Sequence, residues 1–379
     1  MIPYGRQAVT AADIEAVVEV LRSDMITQGP VVPRFESRVA AYCGASRAVA
    51  ANSGTSALHL ACRALDLAPG DVLWTSPITF VASANCARYC GAAVDFVDID
   101  PATGNLCPNA LEDRLRTAER AGRLPKVVMP VHFAGQPCDM AAIGALAERY
   151  GFRVIEDASH ALGATFQGEA IGNGRYSDIT VFSFHPVKLI TTGEGGMAVT
   201  ADAELADRMT LLRSHGITRD AAAMEGEPDG PWSYQQIDLG YNYRMTDIQA
   251  ALGVSQLERL DDYIEQRHEL AAVYDQALAE LPVRVSAAIA DTRSALHLYV
   301  VRVDERRRVF DALRAAGIGV NVHYIPVHTQ PYYQRLGFAA GDFPHAEQFY
   351  AEAISLPLYP TLEADDQQHV IDALQRAVA

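Results

Sequence analysis

Between residues 47 and 200 the chain alternates short Val/Ile/Ala-rich runs with stretches of helical periodicity, and no other feature restricts its fold as much. The runs at 47–51, 71–75, 94–99, 126–132, 153–156, 179–183 and 197–200 read as strands, with helical spacing at 55–65, 80–90, 111–120 and 140–150. Strands that are apolar on both sides and separated by helices imply a mostly parallel sheet covered on both faces, because each parallel connection lays a crossover helix against the sheet. The last two runs follow one another without a helix, so the final strand is expected to run antiparallel.

Ahead of this region lies an amphipathic helix at 11–21, apolar at Ile14, Val17, Val18 and Leu21, and a loop at Thr27-Gln28-Gly29-Pro30. Beyond it, a helical pattern over 246–278 is long enough to bridge two domains. Strand patterns at 298–303 and 318–322 and helices at 305–315, 346–354 and 364–378 complete a smaller α+β region. The expectation is an α/β protein with a large domain over 1–250, including an N-terminal arm, and a small C-terminal domain over 251–379.

Several function classes drop out. No apolar run reaches the ~18 residues of a membrane span, and the N-terminal stretch lacks a signal-peptide pattern. A net charge of −16 argues against a nucleic-acid partner, since a phosphate backbone needs a basic face. The six cysteines are scattered through apolar segments without metal-ligand spacing, so they read as reduced, buried thiols of a cytoplasmic protein with no metal.

Of 31 basic side chains only Lys126 and Lys188 are lysine, which makes any primary-amine chemistry easy to locate. Lys126 opens a strand after Leu124-Pro125 and reads as a solvated edge residue. Lys188 sits in a turn beyond a strand, within Ser183-Phe184-His185-Pro186-Val187-Lys188, ahead of a Gly-rich stretch. A strand-end amine among apolar neighbours is partly desolvated, which favours the nucleophilic free base.

Two other segments carry complementary chemistry. Asn52-Ser53-Gly54-Thr55-Ser56 joins a strand to a helix, the geometry that aims backbone N–H groups at an anion; a plain Ser/Thr helix cap has the same signature. Asp157 ends an apolar strand with His160 three residues on, at the edge where open α/β sheets collect ligands, although Asp157 would equally cap a turn. An amine, a phosphate cradle and a carboxylate able to pair with a protonated ring nitrogen are the groups pyridoxal phosphate requires. Phe80 is available to cover the ring or to pack in the core.

GTSALHL, SPITFVASAN, EDASHALGA, SFHPVKLITTGEGGM, GYNYRMTDIQAALG, HYIPVHTQPYY and SLPLYPTL together resemble the successive motifs of the DegT-type sugar aminotransferases, fold-type I pyridoxal-phosphate enzymes, in the family's order across nearly the whole chain. Within that group the resemblance is nearest to the UDP-sugar 4-aminotransferases of the pseudaminic acid pathway. The resemblance implies Lys188 as the covalent anchor and Asp157 as partner of the pyridine nitrogen. It implies Gly54, Thr55, Ser56 and Ser183 around the phosphate, Phe80 against the ring, and His160 beside the phenolic oxygen, where many relatives have Gln.

In the family the Asn of GYNYR, here Asn242, reaches the phosphate of the neighbouring subunit, so a homodimer with shared sites is expected. L-glutamate and a nucleotide sugar are the implied substrates. Tyr4, Thr27, Gln28, His185, Arg244, His323 and His328 are the candidate substrate contacts, with local roles open for several: Arg244 pairing with Asp247, His185 shaping its loop, and His323, Tyr324 and His328 either packing around a Pro turn or meeting substrate. A 3-keto or other 4-keto nucleotide-sugar aminotransferase and a non-catalytic pyridoxal-phosphate-binding regulatory member remain the alternatives.

Overall fold

A computed structural model describes residues 1–379. Seven strands form the central sheet: β1 (Arg47–Ala51), β2 (Val72–Thr75), β3 (Ala93–Phe96), β4 (Val127–Met129), β5 (Arg153–Asp157), β6 (Ile179–Ser183) and β7 (Gly196–Thr200). Their spatial order is β1-β7-β6-β5-β4-β2-β3. Strand β7 runs antiparallel to both β1 and β6, and every other pairing is parallel. The expected antiparallel strand is therefore present, inserted between two parallel neighbours. The protein is a mixed α/β fold with a mostly parallel central sheet.

Successive residues of one strand enter different cores, as the two-residue side-chain period requires. Val49, Leu73, Val127, Ile155 and Val181 belong to one apolar cluster, while Ala50, Trp74, Val128, Val154 and Phe182 belong to another. Helices α3 (Gly54–Ala64), α4 (Ala82–Tyr89) and α7 (Ala203–Leu212) cover the first face. Helices α2 (Val31–Cys43), α5 (Pro108–Arg120), α6 (Met140–Tyr150) and α8 (Asp247–Leu257) cover the second. A third cluster, from Ala271 to Ala377, surrounds an antiparallel sheet of Val283–Val285, Tyr299–Val303 and Ala353–Leu356. The N-terminal strand Ile2–Pro3 pairs with Ile318–Gly319, so the first residues are tied to the C-terminal third.

The structure departs from the sequence reading in several places. Helix α1 (Ala11–Arg22) forms where expected, yet it buries Asp13 and Val20 and exposes Ile14 and Leu21. The cause is polar: Asp13 takes hydrogen bonds from the Thr10 backbone and Gln256 and an ion pair from Arg259. Helix α2 was not expected; Val32, Phe35, Val39 and Cys43 bury one face, and Gly44 closes it at φ 71°.

The 246–278 pattern is two helices, α8 and α9 (Leu260–Leu278), separated at Glu258-Arg259, where the Arg259 side chain turns to Asp13 and Tyr263. Phe80 precedes α4 instead of lying on it. The helix expected over 346–354 spans Pro344–Glu352, and its apolar tail is the buried strand Ala353–Leu356. All six cysteines are free, five of them buried. No helix is long and apolar enough to cross a membrane.

Candidate active site

The carboxyl edges of β1, β5 and β6 open into one cavity of about 900 Å³. At the end of β1, Ser53 caps α3: its Oγ accepts from the Ser56 backbone at 3.1 Å, and the Ser56 hydroxyl donates to Asn52 Oδ1 at 2.6 Å. The helix N-terminus thus faces the cavity with backbone N–H groups and hydroxyls, a setting for an anion. Close approach of β6 and β7 requires glycine. A Cβ at Gly54 would stand 3.0 Å from Ser183 Cβ, and one at Gly196 would lie 2.5 Å from the Ser53 carbonyl.

Asp157 ends β5 at 5% exposure with both oxygens engaged. Oδ2 accepts from Ser83 Oγ at 2.6 Å, while Oδ1 accepts from the Ser159 backbone at 3.1 Å and its hydroxyl at 2.6 Å. Ser83 in turn is 2.6 Å from Thr79 Oγ1. Next to Asp157 in the strand, Glu156 points to the opposite face, where His132 Nε2 (2.7 Å), Thr180 and Ser177 hold it. The two carboxylates are neighbours in sequence, and only Asp157 reaches the cavity.

Lys188 lies beyond β6, in the turn that the Lys188 N–H closes on the His185 carbonyl at 2.9 Å. Burial pulls its ammonium down to about 8, against the opposing attraction of Asp157. About a tenth of the amine is therefore free base at pH 7, far more than for a lysine in water. Lys126, by contrast, is bound to the Asp66 carbonyl and to Asp71 at 2.8 Å, far from the cavity.

The remaining wall is imidazole and phenol. His160, His297, His323 and Tyr324 line the cavity. His323 Nδ1 is 2.7 Å from Ser355 Oγ, and burial lowers its pKa to about 3, so it is neutral throughout the physiological range. His160 and His297, with ring centroids 4.4 Å apart, are held well below the usual value, first by burial and then by neighbouring cations. Phe80 extends over the mouth, 60% exposed, with its ring 6.4 Å from Tyr324.

Of the residues singled out in the sequence, Tyr4, Gly54, Thr55, Ser56, Phe80, Asp157, His160, Ser183, His185, Lys188 and His323 converge on this cavity. His328 does not. It is completely buried, hydrogen-bonded to Glu347 at 2.9 Å and packed against Phe343, so it braces the Pro326 turn instead of meeting a substrate.

Gln28 and Arg244 line a separate cavity of about 800 Å³, and Thr27 is bridged to Thr246. Arg244 does not pair with Asp247, which instead accepts from the Val32 backbone and caps α2. Asn242 is exposed beside Asn52, to which its carbonyl is joined at 3.4 Å. Ser83, Ser159, His297 and Asn321 were not chosen from the sequence, whereas Tyr324, weighed there with His323 and His328, does line the cavity. Ser83 and Ser159 carried a signal, lying within the same motifs as Phe80 and Asp157; His297 and Asn321 carried none.

An amine that is partly free base, a helix N-terminus for an anion and a braced carboxylate fit pyridoxal phosphate. A family profile described as DegT/DnrJ/EryC1/StrS aminotransferase matches residues 7–375. The chain belongs to that family. It is a pyridoxal-phosphate-dependent aminotransferase. Among relatives of this DegT-family enzyme, a spore coat polysaccharide biosynthesis protein of Bacillus subtilis is 42% identical over 100% of this chain and 97% of its own. The UDP-4-amino-4,6-dideoxy-N-acetyl-beta-L-altrosamine transaminase of Campylobacter jejuni is 38% identical over 99% and 96%. The PMP form of a putative sugar aminotransferase from Streptococcus pneumoniae superimposes with a TM-score of 0.92 at 31% identity, covering 100% and 99% of the two chains. A Helicobacter pylori aminotransferase involved in pseudoaminic acid biosynthesis gives 0.89 at 30%, with the same coverage.

Proposed function

We propose that this DegT-family aminotransferase moves an amino group from L-glutamate to the C4 ketone of a UDP-linked 4-keto-6-deoxy-N-acetyl hexose, in the cytoplasm. The observation that carries the reading is the convergence of Lys188, Asp157 and the α3 N-terminus on one cavity large enough for a cofactor and a sugar together. The Campylobacter and Helicobacter relatives support the choice of sugar.

When bound, pyridoxal phosphate supplies an electron sink for charge left at the donor's α-carbon. The chain's own residues do the rest. Lys188 would hold the cofactor covalently, and its free amine would move a proton from the donor's α-carbon to the cofactor's C4′. Asp157, kept in place by Ser83 and Ser159, would keep the ring nitrogen protonated. Gly54, Thr55, Ser56 and Ser183 would hold the phosphate. His185, His323 and Tyr4 line the side left for substrate.

Two further parts of the reading concern assembly. Asn242, which is exposed, would serve the phosphate of a second copy in a homodimer, and Gln28 and Arg244, which line the second cavity, would contact substrate. The large domain, with the N-terminal arm, would span 1–250 and the small one 251–379, with Ile2–Pro3 of the arm paired to Ile318–Gly319. Glutamate offered with a panel of UDP- and dTDP-linked 4-keto and 3-keto sugars tests the specificity. Product from a UDP-linked 4-keto sugar is expected, and product from 3-keto sugars alone rejects the proposal.

A further inference from the structure

We infer that Tyr324 is a positioning residue acting through His160: its hydroxyl selects the imidazole tautomer that presents an N–H donor to the bound cofactor. The inference rests on the pyridoxal phosphate reading of His160 above.

Tyr324 Oη lies 3.0 Å from His160 Nε2, and the rings stack at 6.0 Å with planes 20° apart. His160 is 5% exposed, and its other nitrogen, Nδ1, is buried without a partner. Burial raises the Tyr324 phenol far above its usual range, so it keeps its hydrogen. Burial first, then the Lys188 ammonium, keep the imidazole neutral.

A neutral imidazole carries one N–H. Were that hydrogen on Nε2, it would face the phenol oxygen, and the phenol hydrogen would need an acceptor that the surroundings do not offer. Leaving a buried donor unmet is costly. With the hydroxyl donating to Nε2, the ring hydrogen sits on Nδ1 and a single group of the pair remains unmatched. His297, the nearest ring, offers it nothing: its own Nδ1 is also unpartnered. The Nδ1–H is thus a spare donor on a residue that lines the cavity holding Lys188 and Asp157. The electron-rich phenolic oxygen of pyridoxal phosphate is the matching acceptor. An amide side chain at this position would always carry an N–H; an imidazole needs a neighbour to choose for it, and Tyr324 makes that choice.

The test is a pH titration of the visible absorbance of lysine-linked cofactor in holoenzyme, for the parent protein, Tyr324→Phe, His160→Gln and the double variant. His297, His323, Lys188 and Asp157 surround the pair and are present in all four. Tyr324→Phe is expected to raise the midpoint by about one pH unit, the worth of one hydrogen bond to a charged acceptor. In the His160→Gln background the same change is expected to move it no further. An unchanged midpoint in Tyr324→Phe, or an equal shift in both backgrounds, overturns the inference, because a purely structural tyrosine acts regardless of residue 160. Neutron diffraction of the parent holoenzyme gives an answer independent of variant folding: deuterium on Nδ1 is expected, and deuterium on Nε2 overturns it. A parent protein that takes up no cofactor on Lys188 refutes the underlying reading instead.

Discussion

The hydroxyl of Ser83 donates to Oδ2 of Asp157 at 2.6 Å, joining the first turn of α4 to the end of β5 across 74 residues of sequence. It leaves the carboxylate little freedom to turn away from the cavity. Ser83→Ala is expected to weaken pyridoxal phosphate binding by about tenfold, the worth of one hydrogen bond to a charged group, while Ser83→Thr retains most of it. Titration of cofactor-stripped protein by absorbance reads the change; an unaltered dissociation constant for the Ala variant counts against this role.

Lys188 carries a stability signature. Its ammonium is lowered from 10.5 to about 8 by burial, so between those values the unfolded chain binds more protons than the folded one and stability climbs with pH. Below about 8 the folded state bears the whole penalty. Cofactor-stripped Lys188→Met should therefore be more stable than the parent at pH 7 by roughly 1–3 kcal/mol, with the advantage fading towards pH 10.5. Urea melts at pH 7 and pH 10 decide it, and an equal difference at both would contradict the assignment.

The same amine governs cofactor loading. Only the free base attacks an aldehyde, so the rate of pyridoxal phosphate uptake by stripped protein is expected to rise about tenfold per pH unit up to about 8 and then level. Stopped-flow absorbance between pH 6 and pH 9 measures the profile. A plateau already at pH 6 would mean that the amine is far more acidic than its surroundings imply.

Gly196 shows how closely β7 approaches the α3 cap. A methyl group there would meet the Ser53 carbonyl, Gly54 Cα and Gly54 N at 2.5–2.6 Å, all of them backbone atoms that cannot rotate aside. Gly196→Ala is expected to push the α3 N-terminus off the sheet, costing about 1–3 kcal/mol. Inorganic phosphate should then protect the variant against thermal unfolding less than it protects the parent.

Asp13 is a buried carboxylate tied to Arg259, Gln256 and the Thr10 backbone. Burial alone would raise its pKa, but the hydrogen bonds outweigh it and the net shift is downward. Its contribution is present above the unfolded value of about 3.9 and is lost as pH falls below that. Asp13→Ala is expected to cost ~3 kcal/mol at pH 7 by stranding Arg259, and progressively less as pH falls below about 3.9. Chemical denaturation at neutral pH and below that value checks the sign.

Much of the fold was legible because it rests on local repetition. β1, β6, α6 and the final helix Ala364–Val378 fall on the residues that periodicity indicated, and the missing helix between 183 and 196 announced the antiparallel strand. Three clusters of small polar residues at strand ends likewise marked Ser53, Asp157 and Lys188, because a parallel sheet brings its carboxyl edges together.

Other outcomes depended on partners remote in sequence. The pattern of α1 said that one face would be buried, and Arg259 decided that it would be the face bearing Asp13. Nothing near His328 foretold Glu347, and nothing near His160 foretold Tyr324. Hydrophobic period and turn chemistry are properties of neighbouring residues, so the sequence by itself determined the layers and the edge on which the chemistry sits. Burial, tautomer and charge are set by whichever groups pack alongside after folding, and those only the tertiary structure decided.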